Sequence, residues 1–186
     1  MVALPPGAFW LMRHGETAAN AQDIICGQTD LPLSARGRAQ ADQAAAFLAD
    51  LPLARIVTSS LLRARQTAQA LAARCGLVPE VIEDLAERNW GALEGQPRSA
   101  LRREETPPGG EAPAAFRARI RAGFAQIDRS KPVLIVAHSG TAREIHALLS
   151  QAPHRRLWNA ETVLWQPDRE VLPNTWHCHD CFKPAG

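Results

Sequence analysis

Several features are scarce or missing in this sequence of 186 residues. Only four cysteines are present, too few for a disulfide scaffold in a chain of this length, so reduced thiols are expected. No uninterrupted apolar run approaches the roughly 20 residues of a membrane-spanning helix. The N-terminal stretch has neither a basic segment nor a small-residue cleavage site, so no signal peptide is expected. Together these absences predict a cytoplasmic protein that does not contact membranes.

Lysine is also scarce: Lys131 and Lys183 are the only lysines among 21 basic residues. The net charge is only +2, which argues against a broad nucleic-acid-binding surface. Arginine, which supplies the remaining positive charge, has a planar guanidinium that binds phosphate through paired hydrogen bonds. A general preference for arginine and alanine accounts for most of this bias. The positions of individual arginines therefore carry more information than their number.

Short apolar runs alternate with helical patterns along most of the chain, without internal repeats or low-complexity linkers. Strands are predicted at Ala8–Met12, Arg55–Thr58, Val78–Ile82, Val133–Ala137 and Thr162–Trp165. Helices are predicted at about 35–49, 61–74, 113–127 and 141–149, with Ser34 and Ser60 as N-caps and Gly76 as a C-terminal signal. Strands of about five residues between such helices predict an α/β fold, a three-layer αβα sandwich with a mostly parallel sheet.

One stretch interrupts this alternation, at about residues 88–112, and it contains three prolines and a pair of adjacent glycines. A segment this long and irregular inside a compact domain is typical of a functional lid. We therefore expect a single domain, residues 1–186, with a short lid. The lid carries Arg98, Arg102 and Arg103, which favour an anionic or multiply phosphorylated substrate. An exposed helix face would explain these arginines equally well.

Two histidines follow predicted strands, His14 after the first strand and His138 after the fourth. Gly15 and Gly140 follow them closely, and glycine lets the backbone approach a ligand. Ligands bind at the carboxyl ends of the strands in open α/β sheets, so a site is predicted there. Phosphoryl transfer fits such a pair, because a neutral imidazole can attack phosphorus. The reaction also needs cationic donors around the phosphoryl oxygens and an acid for the leaving oxygen.

Five motifs between about residues 9 and 145 resemble, in order, those of the histidine phosphatase superfamily, also called phosphoglycerate mutase-like. The first is LMRHGETAAN at 11–20, which continues as GQTDLPLS at 27–34. The others are SSLLRARQTA at 59–68, LAERNWGALEG at 85–95, PGGE at 108–111 and VAHSGT at 136–141. The resemblance is closest to the small bacterial-type phosphatases of this family and implies the same α/β sandwich.

The resemblance implies a role for each matching residue. His14 would be the nucleophile that becomes phosphorylated. Arg13 and Arg63 would bind the phosphate, with His138 as a further donor to the transferring group. Arg63 is preferred to Arg65 because it matches the motif, and in a helix Arg65 lies about 200° around the axis from it.

Three further positions are implied with alternatives. Glu87 would be the general acid for the leaving alkoxide and then the base that activates water, and Glu94 is its rival. Asn20 would face the phosphate or the substrate. Ser139 stands where the family commonly has glycine; its backbone N–H can serve the same purpose, and its hydroxyl can add a contact to substrate.

The function that these residues favour is a cofactor-independent phosphatase acting on small phosphorylated metabolites, without a metal. Small members of the family include broad-specificity phosphatases and enzymes that act on α-ribazole phosphate. A phosphoglycerate mutase is the alternative, but mutases of the family tend to carry longer insertions that exclude water. A non-catalytic phosphate-binding module is a second alternative, although no candidate catalytic residue is missing. The sequence does not indicate the oligomeric state.

The C-terminal run His177-Cys178-His179-Asp180-Cys181 contains the residue types of a zinc site. It stands alone near the terminus, with no second pair of ligands at the spacing of a zinc finger. A frayed tail or a chance cluster is therefore favoured over a structural metal.

Overall fold

The computed structural model describes residues 4–168 and 175–185. The strands are β1 Phe9–Arg13, β2 Arg55–Thr58, β3 Glu80–Val81, β4 Val133–Ala137, β5 Thr162–Asp168 and β6 Thr175–Phe182. The α-helices are α1 Ala18–Ala21, α2 Ala35–Leu48, α3 Leu62–Cys75, α4 Pro113–Ala125 and α5 Ser139–Leu149. Short 3-10 turns lie at Glu83–Leu85, Gly91–Leu93 and Arg98–Ala100.

The strands form one sheet in the order β3-β2-β4-β1-β5-β6. The first four strands of this order run parallel, and β5 and β6 are antiparallel to their neighbours. β1 and β4 are buried along their whole length because both faces of the sheet are covered, which is why both strands are continuous apolar runs. The predicted α/β sandwich with a mostly parallel sheet is confirmed.

The two faces of the sheet are covered by different kinds of side chain. One face packs against small residues of α2 and α3, namely Ala44, Ala45, Ala64 and Ala68. The other face packs against larger residues of α4 and α5, namely Phe116, Ile120, Phe124 and Ile145. Successive residues of β1 point to opposite faces, so each helical layer receives alternate side chains of the same strand. No helix in the described ranges is long and apolar enough to cross a lipid bilayer.

Several predicted boundaries differ from the structure. Ser60 is not the N-cap of α3: Leu61 holds that position, and the N–H of Leu62 donates to Asp30 Oδ1 at 2.6 Å instead. Gly76 does end α3, with a left-handed φ of +65°. The third strand is reduced to two residues, and α5 begins two residues earlier than predicted, at Ser139. α4 ends at Ala125, about two residues before the predicted end.

The prediction of a frayed C-terminal tail is wrong, because Thr175–Phe182 forms the edge strand β6. β5 is correspondingly longer than predicted and reaches Asp168. An edge strand exposes much of its surface, so β6 carries polar side chains and lacks the apolar run that marks a buried strand. His177 Nε2 lies 2.7 Å from Asp168 Oδ2 across this pair. Within the described residues, no group of three His, Cys, Asp or Glu side chains is placed to hold a metal ion.

The lid segment, residues 88–112, is held together internally by the buried side chain of Arg88. Its guanidinium donates to three backbone carbonyls, those of Arg103, Glu105 and Glu111. It also lies over the ring of Trp90, 4.3 Å from the centroid. One arginine therefore holds both halves of the lid segment in a defined path.

Candidate active site

His14 and His138 lie side by side at the carboxyl end of the sheet. Arg13, the last residue of β1, is in register with Ala137, the last residue of β4, so the residues that follow are neighbours. The backbone N–H of His14 donates to the Ala137 carbonyl at 2.9 Å. The two imidazole centroids are 5.1 Å apart, and both rings are buried. The structure thus brings together the two histidines as their strand positions predict.

His14 has the protonation state of a nucleophile. Its Nδ1 lies 2.7 Å from the Gly15 carbonyl oxygen. A carbonyl can only accept, so Nδ1 carries the proton and Nε2 keeps its lone pair. Burial, followed by the charges of Arg63 and Arg13, holds the pKa of His14 well below its ordinary value. The imidazole is therefore neutral, with Nε2 unprotonated.

The turn after His14 is positioned by Thr67 on α3, which lies in the SSLLRARQTA motif but is not among the predicted site residues. The Thr67 hydroxyl accepts from the Gly15 N–H at 3.0 Å and donates to the Arg63 carbonyl at 2.7 Å. A Cβ on Gly15 would lie 2.4 Å from the carbonyl oxygen of Gly37, so only glycine fits there. These contacts fix the backbone that carries the His14 imidazole.

Arg13 and Arg63 are both buried and only partly bonded. Arg13 donates from Nη1 to the Leu157 carbonyl at 2.9 Å, while its buried Nε has no partner among the described residues. Burial lowers the pKa of Arg13 to about 9, so it remains charged at neutral pH. Arg63 donates to the carbonyls of Thr29 and Gly27 at 3.0 and 2.6 Å. Each guanidinium has five N–H donors, so both keep donors for a further acceptor.

His138 has one ring nitrogen without a partner among the described residues. Its Nε2 lies 2.6 Å from the Ser59 hydroxyl, and its buried Nδ1 has no partner among the described residues. Burial, with the charge of Arg63, lowers the pKa of His138 well below its ordinary value. Leaving a buried polar group unsatisfied costs about 1–3 kcal/mol. An anion bound beside His14 would satisfy both this atom and the Arg13 Nε.

Glu87 is buried and held by two backbone N–H groups. Its Oε1 accepts from Arg88 N at 2.9 Å, and its Oε2 accepts from Gly140 N, in the first turn of α5, at 2.8 Å. A Cβ on Gly140 would lie 2.0 Å from Glu87 Oε1, so the glycine makes room for the carboxylate.

Glu94, the rival of Glu87, has a different position and different partners. It accepts hydrogen bonds from the backbone N–H groups of Gln28, Thr29 and Trp90, and also from the Thr29 hydroxyl. Burial raises the pKa of Glu94, but these hydrogen bonds outweigh that effect and lower it. Glu94 therefore holds the loop that contains Gly27, while Glu87 faces the cavity beside His14.

Asn20 is oriented by Asn159, a residue of the loop before β5 that sequence reasoning missed. The Asn20 Oδ1 accepts from Thr17 N at 3.2 Å and from Asn159 Nδ2 at 3.0 Å. The same Asn159 amide donates to the His14 carbonyl at 3.1 Å. Because the oxygen of Asn20 is engaged twice, its NH₂ group is the part left for a ligand.

A small cavity of about 60 Å³, here called the reactive cavity, joins these groups. The predicted site residues among its lining are Arg13, His14, Asn20, Glu87 and Ser139. Trp90, Arg98 and Arg103 also line it, whereas Arg102 is exposed and donates to carbonyls of its own turn. Arg63 and His138 lie buried beside His14 rather than in the lining, and Arg63 is the strongest charge acting on both imidazoles.

The buried histidines predict a loss of stability in mild acid. A histidine in the unfolded chain has a pKa of about 6.5, so both rings become protonated there below that pH. In the folded chain His14 and His138 stay unprotonated, because their pKa values are well below the ordinary value. Each contributes a slope of up to about 1.4 kcal/mol per pH unit, with stability falling as pH falls. We expect these two rings to lower the free energy of unfolding, measured with urea, by about 3 kcal/mol between about pH 7.5 and 5.5. His154, whose pKa is lowered to about 4, should add a loss of the same sign.

Two variants test this attribution to the buried rings. Over the same pH window, the free energy of unfolding of His14→Asn should fall by about 1.4 kcal/mol less than that of the unmodified chain. His179→Asn, which changes an exposed ring of β6, should behave as the unmodified chain. Stability that does not vary with pH in this window would contradict the assignment.

The fold and the geometry define a class: an α/β sandwich protein with a cavity lined by histidine and arginine at the carboxyl end of its sheet. The chain belongs to the histidine phosphatase superfamily (branch 1), whose family model matches residues 9–164. The sequence resemblance to this family is therefore confirmed.

Two sequence relatives and one solved structure show the range of the family around this chain. The uncharacterized phosphatase PhoE of Bacillus subtilis (strain 168) is 36% identical over 150 residues, 77% of this chain and 76% of that protein. A Yersinia enterocolitica protein named as a probable phosphoglycerate mutase, GpmB, is 35% identical over 184 residues, 88% of this chain and 86% of that protein. The structure of a mycobacterial glucosyl-3-phosphoglycerate phosphatase with VO3 superimposes with a TM-score of 0.79 at 28% identity, covering 96% of this chain and 99% of that one. Relatives of this chain thus include proteins named as phosphatases and as mutases.

Proposed function

We propose that this protein is a phosphoric monoester hydrolase that removes phosphate from small metabolites through a phosphohistidine on His14. The observation that carries the proposal is the state of His14: a neutral ring whose Nε2 is free, beside Arg13, Arg63 and His138. A nucleophile of this kind splits hydrolysis into two easier transfers. The charges around it would stabilise the phosphoryl oxygens during both transfers.

The first transfer would run as follows in this site. The Nε2 lone pair of His14 forms a bond to phosphorus while the bond from phosphorus to the ester oxygen breaks. The Glu87 carboxyl, in its protonated form, gives its proton to the leaving oxygen, so the alcohol departs neutral. Arg13, Arg63 and the Nδ1–H of His138 donate to the three phosphoryl oxygens, with the Asn20 amide as a further donor.

The second transfer would return the site to its starting state. Glu87, now a carboxylate, takes a proton from water as the water oxygen attacks phosphorus. The bond between phosphorus and His14 Nε2 breaks, inorganic phosphate leaves, and His14 is again neutral. Ser139, which lines the reactive cavity, would contact the substrate rather than the transferring phosphorus.

Hydrolysis is favoured over mutase chemistry by the surroundings of the cavity. A groove of about 730 Å³ borders it and shares Arg13, Asn20 and Arg156 with its lining. Exposed Trp158 lies on this groove, with Lys183 Nζ 4.6 Å from its ring centroid. An opening of this size admits water to a phosphohistidine, whereas a mutase must keep water out until the phosphate returns to its substrate.

A single incubation distinguishes the two activities. The purified chain is mixed with 3-phosphoglycerate in water labelled in its oxygen, and products are followed by phosphorus NMR. We expect labelled inorganic phosphate to form at least about ten times faster than 2-phosphoglycerate, because water intercepts the phosphohistidine. Faster formation of 2-phosphoglycerate than of phosphate would overturn the assignment as a hydrolase in favour of a mutase.

A further inference from the structure

A second cavity, of about 290 Å³, opens beside the reactive cavity, and four arginines line both. We call this cavity the arginine lobe. It is lined by Arg98, Arg103, Ser139, Arg143, His154 and Arg156. Neither His14 nor Glu87 lines it. The lobe is therefore a charged space beside the reacting groups that the two-step transfer above does not use.

The positive charge of the arginine lobe is incompletely balanced. Arg143 pairs with Glu144 at 2.9 Å, and Arg98 lies 3.9 Å from Asp23. In the part of the chain that the structure describes, the side chains of the other two arginines, Arg103 and Arg156, make no hydrogen bond or ion pair. Two of the four arginines are thus paired with a carboxylate, whereas Arg103 and Arg156 feel Glu87 only through space.

The titration of these groups agrees with an excess of positive charge. The pKa of Arg103 is lowered by burial and then by Arg143 and Arg98, and that of Arg156 is lowered by burial and then by Arg98. His154 is affected most: burial, His146 and Arg143 lower its pKa to about 4. His154 is therefore neutral at neutral pH, and the charge of the lobe comes from its arginines.

The arginines of the lobe stand on backbone that is held in place. Arg88 donates to the Arg103 carbonyl, which fixes the lid segment where Arg103 projects. Arg143 lies four residues after Ser139 on α5, so both side chains share one helix face. Arg156 precedes Leu157, whose carbonyl accepts from Arg13. Binding an anion here would need little ordering of the backbone, which lowers the entropy cost.

We propose that the arginine lobe binds a second anionic group, a carboxylate or a phosphate, on the ester that His14 dephosphorylates. The inference rests on the proposed function and adds a substrate class: small phosphate esters with another anion a few bonds from the ester oxygen. The short distance follows from Ser139, which lines both cavities. Guanidinium groups suit both anions because they bind either through two parallel hydrogen bonds.

Two matched pairs of substrates test the inference and separate the two anions. 3-Phosphoglycerate and glycerol 3-phosphate differ in a carboxylate against a hydroxymethyl group. 1,3-Propanediol bisphosphate and 3-hydroxypropyl phosphate differ in one phosphate. We expect kcat/KM to be at least about tenfold higher for the more anionic member of one pair or both. Preference within the first pair alone identifies a carboxylate ligand, and preference within the second pair alone identifies a phosphate.

A double variant, Arg103→Gln with Arg156→Gln, assigns the preference to the lobe. Both side chains lack protein partners, so their replacement leaves no buried group unpaired. We expect the ratio of kcat/KM within the preferred pair to fall by about tenfold. Arg102→Gln is the matched control, because this neighbouring arginine is exposed like Arg103 and Arg156 but lines neither cavity, and it should keep the ratio.

Three outcomes count against the inference. Equal kcat/KM within both pairs overturns it, and so does a preference that the double variant retains or that Arg102→Gln abolishes. In each case phosphate release that depends on His14 would leave the proposed function standing. Absence of phosphate release from all four esters would count against both the function and the lobe.

Discussion

Replacement of His14 by asparagine is expected to lower kcat by about four orders of magnitude for every phosphate ester, because no other group supplies the nucleophile. The asparagine amide can still donate to the Gly15 carbonyl, so the local backbone should persist. Quenching the unmodified chain with alkali during turnover should trap phosphate on one histidine, because the bond between phosphorus and nitrogen survives base and breaks in acid. The variant should trap none.

The control for this experiment is His179→Asn, which alters an exposed histidine of the edge strand β6. It should retain both turnover and the trapped phosphohistidine. If His14→Asn released phosphate from an aryl phosphate at a rate near that of the unmodified chain, a phosphohistidine on His14 could not be the intermediate. Thermal unfolding of both variants at pH 7.5 or above checks that any loss is chemical.

Glu87→Gln is expected to have the second largest effect, and its size should depend on the leaving group. An alkyl alkoxide needs a proton as it departs, so kcat for alkyl phosphates should fall by about 10²–10⁴-fold. p-Nitrophenolate needs no proton, so its first turnover should stay rapid. The following turnovers should stall, because Glu87 would also activate the water that cleaves the phosphohistidine. When p-nitrophenolate release is followed by rapid mixing, we therefore expect an initial burst whose amplitude equals the enzyme concentration.

Glu94→Gln provides the matched comparison for Glu87→Gln. Glu94 holds the backbone of Gln28 and Thr29 and does not line the reactive cavity. Any loss of activity in this variant should therefore be similar for alkyl and aryl phosphates, with no burst. A loss in Glu87→Gln that is likewise independent of the leaving group would show that Glu87 acts on structure and not on proton transfer.

The parts of the fold that the sequence predicts are those with strong local patterns. β1 and β4 are apolar throughout because they are buried on both faces, and this is visible in five residues. β6 has no such pattern, because an edge strand meets the core with few of its residues. The start of α3 differs from the prediction for another reason. The Asp30 carboxylate, about thirty residues away in sequence, accepts the hydrogen bond from the helix N-terminus that was expected to go to Ser60. Long-range caps of this kind leave no local signal.

The residues of the candidate site likewise fall into those that the sequence predicts and those that it does not. Positions at strand ends, such as His14 and His138, follow from the order of elements, and the family motifs point to Arg63 and Glu87. Asn159 orients Asn20 from a loop that nothing in the sequence marks. Arg143 and Arg156 reach the arginine lobe from α5 and from the loop after it. Which loops converge on a cavity depends on packing, and spacing along the chain does not encode it.

The hold of Arg88 on the lid segment has a consequence for redesign. Every acceptor of its guanidinium is a backbone carbonyl, so the identities of the side chains at Arg103, Glu105 and Glu111 do not enter those bonds. The path of this segment and its chemical surface are thus separable properties. Libraries that randomise Arg98 and Arg103 while keeping Arg88 would alter which esters are accepted on an unchanged backbone. On the proposed function, substitutions at Arg98 and Arg103 could therefore change the substrate range without removing the bonds that Arg88 makes.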